Sequence, residues 1–197
     1  MNSTKAKFFS TKNIVSLAVL TALLVVLNLL STVFKVITNV NLTLIPIVLG
    51  ALLMGYKGGL ILGLISGLMT FMFGVTGVDA FTNILFNNSP VITFLTCVIK
   101  ITLAGLLGGL VYSALKNKNR YLAVFLASAT VPIVNTAMFI LGALAMYNTI
   151  AINFSQDVLY FLVIVCAGVN FLIEFGINLL VAPAIYTVIK VIDKTGA

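Results

Sequence analysis

Apolar stretches recur along almost the whole chain, and polar residues gather in the gaps between them. The first stretch covers residues 14–34. A shorter one, 42–56, is interrupted by Pro46. The third covers 58–75, the fourth 89–115, the fifth 121–147, and the last about 158–189. A spanning helix needs about 20 predominantly apolar residues. The pattern therefore predicts an all-α integral membrane protein with six transmembrane helices, built as a single membrane domain over residues 1–197. The fourth stretch opens on Ser89-Pro90, an N-cap residue followed by proline at the first helical position, where the missing N–H has no intrahelical partner to lose. The last stretch is longer than a bilayer requires, which predicts tilt or projection.

The gaps alternate in character. Those at 56–57 and 116–120 are tight and basic; those at 76–89 and 148–157 are long and polar. With the N-terminus inside, six crossings place both termini in the cytoplasm. Lys5, Lys7, Lys12, Lys57, Lys116, Lys118, Arg120, Lys190 and Lys194 then fall on the inner side, against Lys35, Asp79 and Asp157 on the outer side. That asymmetry is the positive-inside pattern of a multi-pass protein in the cell membrane. It also explains the net charge of +7: the basic residues mark topology, and nucleic acid is not the expected partner. The first apolar stretch exceeds the core of a secretory signal and reads as a spanning helix. The long outer gaps carry Asp79, Asn83, Asn87 and Asn88, and loops over a rigid scaffold are where binding residues collect; Asn83 and Asn87 are candidates for solute contact.

Composition narrows the chemistry. Hydrophobic residues make up 61% and charged residues 8%, against about 25% charged in a soluble domain, so the lipid bilayer must serve as solvent. Histidine is absent and the acids number four, which argues against histidine catalysis and a metal site. Cys97 and Cys166 stand alone in apolar surroundings and read as small hydrophobes. No phosphate-binding G-x-x-x-x-G-K-[ST] loop occurs, and no nucleophile–base set. The chain is not expected to be an enzyme or to hold a cofactor. Gly55, Gly59, Gly63 and Gly67 recur every four residues, as do Gly105 and Gly109. Such spacing lets helix backbones approach closely, within the chain or against another subunit.

Ionisable groups at membrane depth mark functional candidates. Lys100 lies 16 residues above Lys116, and Glu174 lies 16 above Lys190. At about 1.5 Å per residue, both sit about 24 Å from the basic boundary. Asn28 and Asn135 reach the same height when counted from Lys12 and Arg120. Asn170, Glu174 and Asn178 share one helix face, as do Thr93, Thr96 and Lys100. Polar stripes of this kind must face protein or a wet cavity. Three readings stay open: a Lys100–Glu174 pair that ties two helices together, a ligand pocket using either or both, and a proton or ion relay. The pocket reading gathers Asn28, Asn83, Asn87, Lys100, Asn135, Asn170 and Glu174.

Several segments resemble the substrate-capture subunit, or S component, of energy-coupling factor vitamin transporters. Ala18-Val-Leu-Thr-Ala22 looks like the family's A-x-x-x-A signature. Leu44-Ile-Pro-Ile-Val-Leu-Gly-Ala-Leu-Leu-Met-Gly-Tyr-Lys-Gly-Gly59 is similar to its second-to-third-helix segment, and Lys100-Ile-Thr-Leu-Ala-Gly-Leu-Leu-Gly-Gly-Leu-Val-Tyr112 to a later one. The resemblance implies a bacterial subunit that captures a vitamin with high affinity from outside. It would dock on a membrane coupling protein carried by two ATPase subunits, which use the ATP, and topple to release its load. Ala18 and Ala22 would form the docking surface. Pro132-Ile-Val-Asn-Thr136 and the segment 170–183 look most like pantothenate-type members. A lysine suits the carboxylate of pantothenate, and asparagines with Glu174 suit its amide and hydroxyls. Riboflavin is the second choice, with Phe81, Phe86, Phe139, Tyr147 and Phe171 as the aromatics that a flat ring could stack on. A stand-alone secondary transporter is the rival class, but inverted halves or paired broken helices are not evident.

Overall fold

A computed structural model describes residues 10–34, 41–154, 160 and 168–195. Among the described residues these helices follow in chain order: α1 (Thr11–Phe34), α2 (Leu44–Leu53), α3 (Tyr56–Val75), α4 (Ala80–Asn88), α5 (Pro90–Leu115), α6 (Arg120–Ala145), α7 (Tyr147–Phe154) and α8 (Val169–Thr195). Among the described residues five helices, α1, α3, α5, α6 and α8, are long and apolar enough to cross a membrane. The stretch expected to form the second crossing folds into the 10 residues of α2, a rod of about 15 Å. Lys5, Lys7, Lys35, Asp157 and Cys166 lie outside the described residues, as does residue 158, the expected start of the last helix; α8 runs past the expected end at Ile189 to Thr195.

The two long polar gaps, expected as loops, hold the short helices α4 and α7. Their sequences read as loops because asparagines, a glycine and an aspartate dominate them. Yet Asp79 caps α4 by accepting a hydrogen bond from the Thr82 N–H at 3.4 Å, and Phe81 and Leu85 are spaced one turn apart. Leu85 packs with Ala143, Met146 and Ile150 in a small apolar cluster of its own. Two helices too short to stand alone in water are thereby held by contact with each other and with α6.

The main bundle is built around α2. This helix touches α1, α3, α5, α6 and α8, and Leu44, Ile47, Val48 and Leu52 are buried. Pro46 lies in its first turn, where an N–H would have no intrahelical acceptor. Gly55 closes the link to α3 with φ 71°, a left-handed conformation that glycine adopts without a Cβ clash.

The glycine repeats pack within the chain. A Cβ on Gly63 would lie 2.6 Å from the Ile101 carbonyl oxygen, and one on Gly67 would lie 2.8 Å from the Val98 Cα. Gly59 and Gly105 face each other backbone to backbone. The α3–α5 pair is the most extensive among the described residues. In lipid no hydrophobic force drives helices together, so close backbone contact and dispersion supply the adhesion.

Large apolar side chains point outward from every long helix: Val91 is 69% exposed, Leu172 67% and Leu180 81%. A water-soluble monomer rarely shows so much contiguous apolar surface; acyl chains are the natural cover for it.

Candidate functional site

Four of the long helices, α1, α5, α6 and α8, change character part-way along. Toward the turns at 54–55 and 116–119, α1 buries Leu20 and Leu24, α5 buries Ile101 and Ala104, α6 buries Val124 and Val131, and α8 buries Ala182 and Ile185. Toward the other end the same inward faces carry Asn28, Lys100, Asn135 and Glu174. These four line one cavity together with Asn170. It holds about 130 Å³, measured as room for the centres of water molecules, and it is partly open. A single water occupies about 10–15 Å³ on such a measure, so the space admits a cluster of waters or a small solute.

The floor of the cavity is the N-terminus of α2. Glu174, 6% exposed, accepts a hydrogen bond from the Asn41 backbone N–H at 2.9 Å. Ser31 Oγ accepts from the Leu42 N–H at 3.1 Å. Asn41 Oδ1 accepts from the Thr43 N–H at 3.1 Å and from the Thr43 hydroxyl. Side chains of α1 and α8 thus supply acceptors for the backbone N–H groups of Asn41 and Leu42, the residues that lead into α2 ahead of its N-cap Thr43.

Charge is distributed unevenly in this space. Asp79, also on the cavity wall, is engaged at the start of α4. Glu174 is engaged at the start of α2. Lys100 is near enough for its charge to act on Glu174. Among the described residues, however, it forms no direct ion pair with it; its ammonium sits 5.0 Å from the centroid of the Phe139 ring. Both carboxyl groups therefore have backbone N–H partners, Asp79 at the N-terminus of α4 and Glu174 in the segment that leads into α2, while the lysine has an aromatic face, a weaker counterpart than an anion.

The sequence matches the ECF transporter substrate-specific component family over residues 12–186. This chain belongs to that family. No curated protein and no solved structure gave a match.

Membership makes the chain a multi-pass membrane component of a substrate-uptake system, a transporter part and not an enzyme. The family works with a membrane coupling protein and ATPases, and it takes a small-molecule substrate. The face of α1 that carries Ala18 and Ala22 is exposed in this S component, turned away from the packed core.

Two candidates from the sequence lie elsewhere. Asn83 and Asn87 do not line the cavity. Once α4 forms, Asn83 donates its side-chain amide to the Gly74 carbonyl at 2.7 Å, and Asn87 donates to Asn83 Oδ1 at 3.1 Å. They fasten α4 to the end of α3. Asn178 continues the Asn170–Glu174 stripe but drops below the cavity, donating to the Glu174 carbonyl at 2.8 Å. Ser31, Asn41, Thr70 and Thr136 line the wall without having been singled out. Ser31 lies three residues beyond Asn28 on the same helix face, a signal the sequence carried; Asn41 becomes visible only when α2 is placed.

Of the aromatics considered for stacking, Phe81 and Phe139 reach the cavity. Their rings are 6.1 Å apart and tilted by 50°. Phe86 packs edge-on against Phe71, and Phe171 lies tilted against Phe175.

Proposed function

We propose that this S component is the high-affinity capture subunit for pantothenate uptake. It would cross the membrane with both termini in the cytoplasm, α2 counting as the sixth and shortest segment. The observation that carries the ligand reading is Lys100: a cation in a cavity whose two carboxyl groups already have backbone N–H partners. An incoming carboxylate is the partner it lacks. Asn28, Asn135 and Asn170 supply neutral donors and acceptors at the same level, as the amide and hydroxyls of pantothenate require.

The orientation is supported by the basic residues. Lys57, Lys116, Lys118 and Arg120 occupy the turns or helix starts at the end opposite the cavity, which the positive-inside pattern assigns to the cytoplasm. The cavity then faces outward. The chain needs no cofactor of its own, and ATP is consumed by the partner ATPase subunits. Riboflavin is less well served, because Phe81 and Phe139 are tilted against each other and Lys100 covers the Phe139 ring.

The direct test is mass spectrometry of small molecules that co-purify from rich medium, followed by calorimetry of the purified chain against a vitamin panel. Pantothenate is the expected ligand; recovery of riboflavin in its place would overturn the assignment. Lys100→Ala is expected to weaken pantothenate binding by more than about tenfold, the scale of a lost charge-assisted hydrogen bond. The variant should remain monodisperse in detergent. Unchanged affinity would remove Lys100 from the site.

A further inference from the structure

We propose that Gly142 is a positioning residue for solute capture: because it carries no side chain, Thr96 can seat against it and hold α5 and α6 at the spacing the cavity wall requires. The inference rests on the capture reading above and adds a residue that does not itself line the cavity.

The seam between α5 and α6 carries contacts at cavity height. The Lys100 ammonium lies 5.0 Å from the centroid of the Phe139 ring. The Thr93 hydroxyl donates to Met146 Sδ at 3.6 Å. Between these two contacts, Thr96 abuts Gly142. The order suits two helices that run in opposite directions: Thr93, Thr96 and Lys100 rise in number where Met146, Gly142 and Phe139 fall. Thr93, Thr96, Lys100, Phe139 and Met146 all line the cavity. Gly142 is the one position of the six that offers only backbone to its partner.

Steric overlap shows what the missing side chain permits. A Cβ on Gly142 would overlap both Oγ1 and Cγ2 of Thr96 and stand 2.8 Å from the Thr96 Cβ. Two of the three staggered sites on that Cβ therefore point at Gly142. Threonine fills two of its three sites with heavy atoms, so at least one overlap survives every rotamer. An alanine at 142 must move α5 and α6 relative to each other at this height, because a close-packed interior has little room to absorb the change. The contacts one turn to either side lie on the same two helices and move with them. Lys100 and Phe139 shift apart, and the cation that the capture reading assigns to the solute leaves its place. Gly108 supplies a contrast on the same helix pair. A Cβ there would stand 2.6 Å from Val131 Cγ2, but Gly108 lies twelve residues from Thr96, about 18 Å along α5.

Calorimetry on the full chain in detergent, with pantothenate and riboflavin as probes, tests this. Gly142→Ala is expected to weaken pantothenate binding about tenfold, the scale of a disturbed charge-assisted hydrogen bond. Introduced into a Thr96→Gly chain, where the overlapping atoms are gone, the same alanine should cost less than about threefold. Gly108→Ala, which tightens the seam far from the cavity, should leave affinity within about twofold. A Gly142→Ala chain that binds as the unaltered one does would overturn the inference. So would a tenfold cost that persists in the Thr96→Gly background, or an equal cost from Gly108→Ala, since the helix pair would then respond as a whole. Should Gly142→Ala yield no folded chain, recovery of folded, solute-binding protein from the double variant upholds the role, and failure of the double variant overturns it. Should Thr96→Gly not fold, Thr96→Ala, which removes both branches, takes its place. If the unaltered chain binds riboflavin and not pantothenate, the comparison is made on riboflavin; relief by Thr96→Gly there upholds the positioning role while the pantothenate assignment falls. An unaltered chain that binds neither probe overturns both.

Discussion

Gly105→Leu is expected to prevent recovery of folded chain, whereas Gly176→Ala should be tolerated without loss. A side chain at Gly105 would meet the carbonyl of Gly59 on the facing helix, and Ile47 Cγ2 of α2 would stand 3.0 Å from the new Cβ. The obstacle on the α3 side is backbone, so no rotamer change relieves it; the helices must separate. Overpacking in an ordinary core costs about 1–3 kcal/mol, with larger values when the structure cannot shift. Here separation also opens the neighbouring contacts at Gly63, Gly67 and Gly109. Gly176, by contrast, has nothing within 4 Å of a Cβ, and alanine favours a helix over glycine by up to about 1 kcal/mol. Size-exclusion profiles and thermal unfolding in detergent would compare the two. A monodisperse Gly105→Leu protein with the unfolding temperature of the unaltered chain would refute the backbone packing.

Ala18→Trp is expected to abolish uptake while leaving solute affinity within about twofold. Ala18 lies ten residues from Asn28 along α1, about 15 Å below the cavity level, and both Ala18 and Ala22 are exposed. Their buried neighbours Leu20 and Leu24 face the core, so an indole at position 18 would leave the interior untouched. On the outer face it would stand well above the small residues that allow a second helix to come close. If that face docks on the membrane coupling protein, association fails and transport stops. Radiolabelled uptake in proteoliposomes containing the complete complex, set beside calorimetry of the isolated subunit, separates the two effects. Uptake at half the normal rate or better would place the docking surface elsewhere.

The heights of polar residues were legible along the chain because one helix rise converts position into depth. Counting from basic anchors set Asn28, Lys100, Asn135 and Glu174 at one level, and they share one cavity. The glycine spacing likewise announced close helix approach, though not which helices would meet. What could not be read depends on contacts between distant segments. The hydrogen bond from Asn41 to Glu174 joins residues 133 positions apart, and only the placement of α2 creates it. Asn83 and Asn87 looked like loop residues available to a solute until α4 formed and engaged their amides. Whether Lys100 and Glu174 touch was likewise undetermined by spacing, since a ring from α6 takes the lysine side of the geometry.

The shortness of α2 has a consequence for how a solute can leave. The polar groups that line the cavity gather at its N-terminal end. Below that point Leu44, Ile47, Val48 and Leu52 form a dry stopper against Leu62, Ile101, Val124 and Val131. If the cavity holds the proposed anion, the described residues offer it only this aliphatic packing on the way to the far side, where it would lose its water. On that reading, release on the opposite face requires the vessel itself to be re-oriented or pried open from without, which places the energy-consuming step in the machinery that grips it.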